Sequence, residues 1–195
     1  MIKGKYYGIG YNDGKYPSKI NYKNDTVYDL WHNMLKRCYC ESTKNRQPTY
    51  SQCLMSDNFK NYSYFYEWCY KQKGFDNAGW QLDKDILIKG NKIYSEDICV
   101  FVPRSINNLF LKCNSIRGEY PVGVCFNKRE RKFVSYVYID GARKHLGYFN
   151  SLESAFAAYK VAKENNIHRL AEEYKTSIDR RVYEALISYQ VEIGD

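Results

Sequence analysis

Apolar positions along residues 26–38 (TVYDLWHNMLKRC) recur at helical spacing. Val27, Leu30, Trp31, Met34, Leu35 and Cys38 line one stripe, which predicts an amphipathic helix. Asp25 or Thr26 suits its N-cap, and Lys36 and Arg37 suit its C-terminal dipole. A second helix is predicted over 57–73, capped by Asp57 and stopped at Gly74. The pattern then shortens. In WQLDKDILIKGNKIY, residues 80–94, Leu82, Ile86 and Ile88 favour a strand and Gly90-Asn91 a turn. A further strand is expected over Ile98 to Val102, and Pro103 can open a short helix across PRSINNLFLKC. The order is strand, turn, strand, helix. Residues 1–24 show no clear periodicity and read as an arm or irregular loop.

Beyond residue 121 the period changes to that of sheet. Three short strands are predicted over 122–127, 132–139 and 143–149, separated by the charged turn Lys128 to Arg131 and by Asp140-Gly141, a hairpin signal. Asn150 or Ser151 can cap a following helix, with Glu153 placed for a capping box and Leu152, Ala155, Phe156 and Tyr159 as its apolar face. A last helix is expected over 178–190. This divides the chain into 1–113, a linker at 114–121 and 122–195, with an α+β fold.

Charge sharpens the picture. The net +8 is unevenly spread: residues 1–50 carry 9 Lys and Arg against 4 Asp and Glu, and residues 120–149 carry 6 against 2. The 21 Tyr, 9 Phe and 3 Trp are interleaved with these basic blocks, a combination that points to nucleic acid as partner. No apolar run reaches the ~18 residues of a membrane span, and the start Met1-Ile2-Lys3-Gly4-Lys5 lacks the apolar core of a signal peptide, so the cytosol is the expected compartment. Cys38 and Cys40 form C-x-C, while Cys53, Cys69, Cys99, Cys113 and Cys125 stand singly, and only three His are present. No zinc site is expected from that spacing; most of these cysteines read as small buried hydrophobes.

The chemistry of most interest lies in the strand at 80–88. Strand alternation predicts that Asp83 and Asp85 share a face, where two carboxylates could hold a divalent ion. Lys84 stands between them.

Two resemblances add to this reading. Gly123-Val124, Lys132-Phe133, Leu146-Gly147-Tyr148-Phe149 and the helix residues Glu153, Ala155, Ala158-Tyr159 and Ala162 resemble the Apetala/ethylene-response-factor type of DNA-binding domain, over about 45 residues. In that family the sheet enters the major groove of double-stranded DNA, as groove dimensions allow. The resemblance implies that Asn127, Lys128, Arg129, Arg131, Lys132, Arg143, Lys144 and His145 face the duplex. Phe133 stands where the family has Trp, and His145 replaces another aromatic residue. The stretches YDLWHNMLKRCY, LDKDILIKGNKIYSEDICVFVP and INNLF resemble phage-type HNH homing endonucleases, across nearly the whole chain. That implies an N-terminal helical region with a ββα-metal finger, followed by the three-stranded antiparallel sheet packed on one helix, and a C-terminal helix.

Carried over by position, Asp83 matches the first metal ligand and Asn107, 24 residues later, the helix ligand of a Mg²⁺ site, with Asp85 available to join them. Lys84 occupies the place of the general-base histidine, and lysine as a residue type, with a reference pKa near 10.4, is a poor general base. A metal-bound water or a distant histidine such as His32 could supply the deprotonation instead. Three functions are therefore open: a Mg²⁺-dependent DNA endonuclease, a catalytically inactive DNA-binding regulator or host-takeover factor on the same scaffold, and an inhibitor of a host protein.

Overall fold

The computed structural model of the chain describes residues 3–111 and 118–194. It is a mixed α+β protein of two compact units, residues 1–103 with 177–179, and residues 104–176 with 180–195. Among the described residues no helix is long and apolar enough to cross a membrane. Cys113 and residues 114–117 of the expected linker lie outside the described residues.

The first unit opens with two small hairpins, where the sequence suggested only an irregular arm. Strands β1 (Lys3–Tyr6) and β2 (Gly10–Asn12) pair antiparallel, as do β3 (Lys19–Ile20) and β4 (Lys23–Asn24). Their tight turns place Tyr7, Gly8, Asn21 and Tyr22 at positive φ, a backbone choice that hydrophobic periodicity does not report.

Helix α1 (Thr26–Tyr39) follows. Asp25 caps it, one carboxylate oxygen accepting from the N–H groups of Val27 and Tyr28 at 2.9 and 3.3 Å. Its predicted stripe is the core: Val27, Trp31, Met34, Leu35 and Cys38 are all buried. After α2 (Glu41–Arg46) and strand β5 (Leu54–Met55), helix α3 (Tyr62–Tyr70) packs against α1.

Helix α3 is shorter than the expected span of 57–73 and is capped by Asn61, not Asp57. The Asn61 amide oxygen accepts from the N–H groups of Ser63 and Tyr64. The Asp57 carboxylate is instead taken by Lys60 at 2.6 Å, on a separate 3₁₀ turn. Trp31 donates its indole N–H to the Phe59 carbonyl at 2.8 Å, so the largest core ring is also satisfied.

Strand β6 (Trp80–Asp83) pairs antiparallel with β8 (Val100–Pro103), while β7 (Ile93–Tyr94) pairs parallel with β5. Pro103 therefore ends a strand, facing Trp80, and does not open the helix predicted from it. Helix α4 (Arg104–Asn107) begins one residue later, and its Ile106 is fully buried. It packs on α5 of the second unit, and the Phe110 ring just beyond it meets Tyr189 at 4.9 Å. These contacts place α4 and Phe110 with the second unit.

The second unit is built on β9 (Val124–Asn127), β10 (Lys132–Ile139) and β11 (Ala142–Phe149), an antiparallel sheet in the order β11-β10-β9. Asp140 and Gly141 turn the β10–β11 hairpin with φ of 51° and 77°, the left-handed pair that such a tight turn requires. Helix α5 (Leu152–Tyr174) packs across all three strands. Ser151 caps it by accepting the Ser154 N–H at 3.1 Å, so the third helical residue is Ser154 and Glu153 is not in capping-box position. Helix α6 (Arg180–Ile187) returns along α5, tied by Tyr183 to Glu172 and by the His168 ring to the Ile187 carbonyl.

Candidate nucleic-acid interface and the aspartate loop

The two faces of the three-stranded sheet follow from its register. On β10, Ser135, Val137 and Ile139 point toward α5: Ser135 and Val137 are buried, and Val137 and Ile139 pack in one cluster with Tyr159. By alternation, Lys132, Tyr136 and Tyr138 point the other way. Directly paired residues share a face, so Arg143, opposite Tyr138, and His145, opposite Tyr136, join them. Lys144 pairs with Val137 and lies on the α5 side of the edge strand. Arg143 and Lys144 thus start from opposite faces of the strand, both exposed and both on the edge of the sheet.

A bulge completes the outer face. The pairing passes from Ser135–Gly147 to Tyr136–His145, which leaves Leu146 as an extra residue in β11. Leu146 packs inward with Val137 and Tyr159. Because of that extra residue His145 and Tyr148, three apart, lie on the same side, with ring centroids 5.1 Å apart. The His145 ring also meets Tyr136 at 5.3 Å, and the Arg143 guanidinium carbon lies 3.6 Å from the centre of the Tyr136 ring. On β10 Val134 is buried on this face, while its β9 partner Cys125 is exposed. The open part runs from Tyr138, 65% exposed, to Tyr148, 51% exposed.

Cations border this face. Lys128, Arg129 and Arg131 are exposed in the β9–β10 turn, with Arg129 near Glu130 at 3.9 Å. Asn127 shapes that turn: its side-chain oxygen accepts from the N–H groups of Arg129 and Glu130. Asp140 at the other end is tied to Arg169 at 2.7 Å. Glu130 and Asp140 are the acidic residues of the stretch 120–149, against six Lys and Arg. The basic block of the first unit has its own focus, a cavity of about 280 Å³ lined by Asn33, Lys36, Arg37, Thr43, Arg46 and Gln47.

The aspartate pair has a different geometry from the one its alternation predicts. Strand β6 ends at Asp83, so Asp85 is already in the following loop and does not share a strand face with it. One Asp83 carboxylate oxygen accepts the N–H groups of Asp85 and Ile86 at 2.8 and 2.7 Å, forming the turn. Burial, and after it the Asp85 carboxylate, push the Asp83 pKa above its ordinary 3.8, against the pull of those two N–H bonds.

Lys84 is 8% exposed. Its amine donates to Asp85 at 3.1 Å and to the Asn91 carbonyl at 3.0 Å, 5.8 Å from the Tyr94 ring centre. Asn91 closes the loop by donating to the carbonyls of Lys84 and Ile93 at 2.6 and 2.7 Å.

This donor set does not fit a divalent ion. One oxygen of Asp83 is committed to backbone, and the cation beside Asp85 is Lys84 itself. Among the described residues no three His, Cys, Asp or Glu side chains converge on a point that could hold a metal. Asn107, the third expected ligand, ends the short helix α4 that follows β8. His32, the alternative base, is held in a ring of tyrosines: its Nε2 is 3.4 Å from the Tyr7 hydroxyl and its ring stacks on Tyr28. The cysteines Cys38, Cys53, Cys69 and Cys99 are buried and free, whereas Cys40 and Cys125 reach the surface.

Sequence reading passed over Tyr136, Tyr138 and Tyr148. The period-2 pattern of KFVSYVYI does place the first two on one face, but Tyr148 joins them only through the bulge. No family model matches this chain, and neither a curated protein nor a solved structure does.

Proposed function

We propose that this chain is a DNA-binding protein that takes its ligand on the outer face of the three-stranded sheet and does not cut it through the Asp83 loop. The observation that carries the reading is the placement of Lys132 and Arg143, towards opposite ends of β10, with Tyr136, Tyr138, His145 and Tyr148 along that face, whose Lys132 end adjoins the cationic turn Lys128 to Arg131. Cations neutralise phosphate and release counterions, the sequence-independent source of affinity for nucleic acid. The sheet module is then a relative in design of the Apetala-type domain it resembles. The β6–β8 pair is a finger kept as scaffold, with Lys84 in place of the ion that a nuclease would use.

A regulator or host-takeover factor fits these features better than an endonuclease, because the aspartates are occupied by the loop's own hydrogen bonds. The test is a supercoiled plasmid incubated with the protein and Mg²⁺ or Mn²⁺. Retardation in a gel with the plasmid still supercoiled is expected. Nicking that disappears in Asp83→Ala contradicts the second half of the proposal, and absence of retardation contradicts the first.

A further inference from the structure

We infer that the open sheet face is a stacking platform for unpaired bases, so that the preferred ligand is single-stranded DNA and not the intact duplex. The inference rests on the DNA-binding reading and narrows it. A face built to read base edges in a groove needs donors and acceptors at its centre. The centre of this face is aromatic instead. Tyr136, His145 and Tyr148 form a continuous series of ring contacts at 5.3 and 5.1 Å, and Tyr138 stands beside it, more exposed than Tyr136 or Tyr148.

Large exposed rings are costly to leave in water and are found where something covers them. Two occupants are chemically reasonable for flat rings: another protein's apolar surface, or planar bases. Charge decides between them. Arg143 lies on Tyr136 at 3.6 Å, Lys132 shares the face, and Lys128, Arg129 and Arg131 border it, while Asp140 is neutralised by Arg169. Rings to stack bases, bordered by cations to follow a phosphate backbone, are the two components that single-strand binding requires.

Duplex DNA offers base edges only, since its base planes are covered by their neighbours. The tyrosine hydroxyls could touch a groove, but the ring faces would then remain unused. A strand with its bases splayed uses both the rings and the cations.

The measurement is fluorescence anisotropy with the full chain and a labelled mixed-sequence 20-mer, presented as a single strand and as the blunt duplex of the same sequence. Single-strand affinity is expected to exceed duplex affinity by about tenfold. Tyr138→Ala and Tyr148→Ala are each expected to weaken single-strand binding by about tenfold, the scale of one lost base stack. Tyr138→Phe and Tyr148→Phe keep the ring and are expected to stay within about twofold of the parent. Both positions are exposed, so thermal unfolding of these variants should match the parent and confirm that folding is not the cause. Duplex binding equal to or tighter than single-strand binding, or alanine variants without effect, overturns the inference while the DNA-binding reading stands. Failure to bind either form overturns both.

Discussion

Gly123→Ala is expected to lower the melting temperature of the sheet unit by on the order of 15 °C and to take nucleic-acid binding with it. Gly123 has φ of 78°, and a Cβ there would stand 2.0 Å from the Tyr159 ring. Two costs combine. The left-handed conformation penalises any residue with a Cβ by about 1–2 kcal/mol, and forcing a methyl into a closed contact adds about 1–3 kcal/mol. Tyr159 cannot easily withdraw, since it is only 7% exposed and packs with Val137 between helix and sheet. Gly123 also accepts the Tyr136 N–H at 2.8 Å, so displacing it disturbs the strand that carries the platform. Scanning calorimetry of the full chain measures the shift. A change within about 2 °C would mean that the contact yields at no cost, contrary to a packed interior.

The loop after β6 yields the second prediction. Lys84→Met keeps the apolar stem but removes a buried amine, leaving the Asn91 carbonyl without its donor; a loss of about 2 kcal/mol is expected in urea unfolding. Asp83→Asn retains an oxygen for the Asp85 and Ile86 N–H groups and should be close to neutral. Asp83→Ala frees both groups and should cost about 1–2 kcal/mol.

The pH dependence has a definite sign. The Asp83 pKa is raised in the fold, so its contribution is fully present below its ordinary 3.8 and declines as pH rises through the higher folded value. Asp83→Asn should remove that decline. Millimolar Mg²⁺ should leave the unfolding midpoint of the parent unchanged, because a ligand stabilises only the state that binds it. A rise in midpoint with Mg²⁺, lost in Asp83→Ala, would show instead that the loop does hold an ion.

These expectations mark where sequence was informative. The stripe of α1 was legible because five of its six apolar positions are buried in one core, and the core-facing spacing is a local property. The span of β10 and the Asp140-Gly141 turn were legible for similar reasons. The Asp83–Asp85 pair misled because two residues apart means one face only while the strand continues, and β6 stops at Asp83. Stopping there depends on hydrogen bonds accepted by the Asp83 carboxylate and donated by the Asn91 amide, which no hydrophobic pattern encodes. The sheet face was half legible. Charge and alternation mark Arg143 and Tyr138, but a one-residue bulge at Leu146 decides that Tyr148 accompanies them, and a cross-strand partner decides that Lys144 does not.

The central claim is that cations on and beside the outer sheet face hold a phosphate backbone. Its most direct test is the salt dependence of DNA affinity for the parent and for a Lys132→Ala, Arg143→Ala double variant. With about five phosphate contacts, log K should fall against log salt with a slope of roughly −3 to −5, and the double variant should be shallower by about 1.5. An unchanged slope in the variant, or no measurable binding at low salt, would contradict the account.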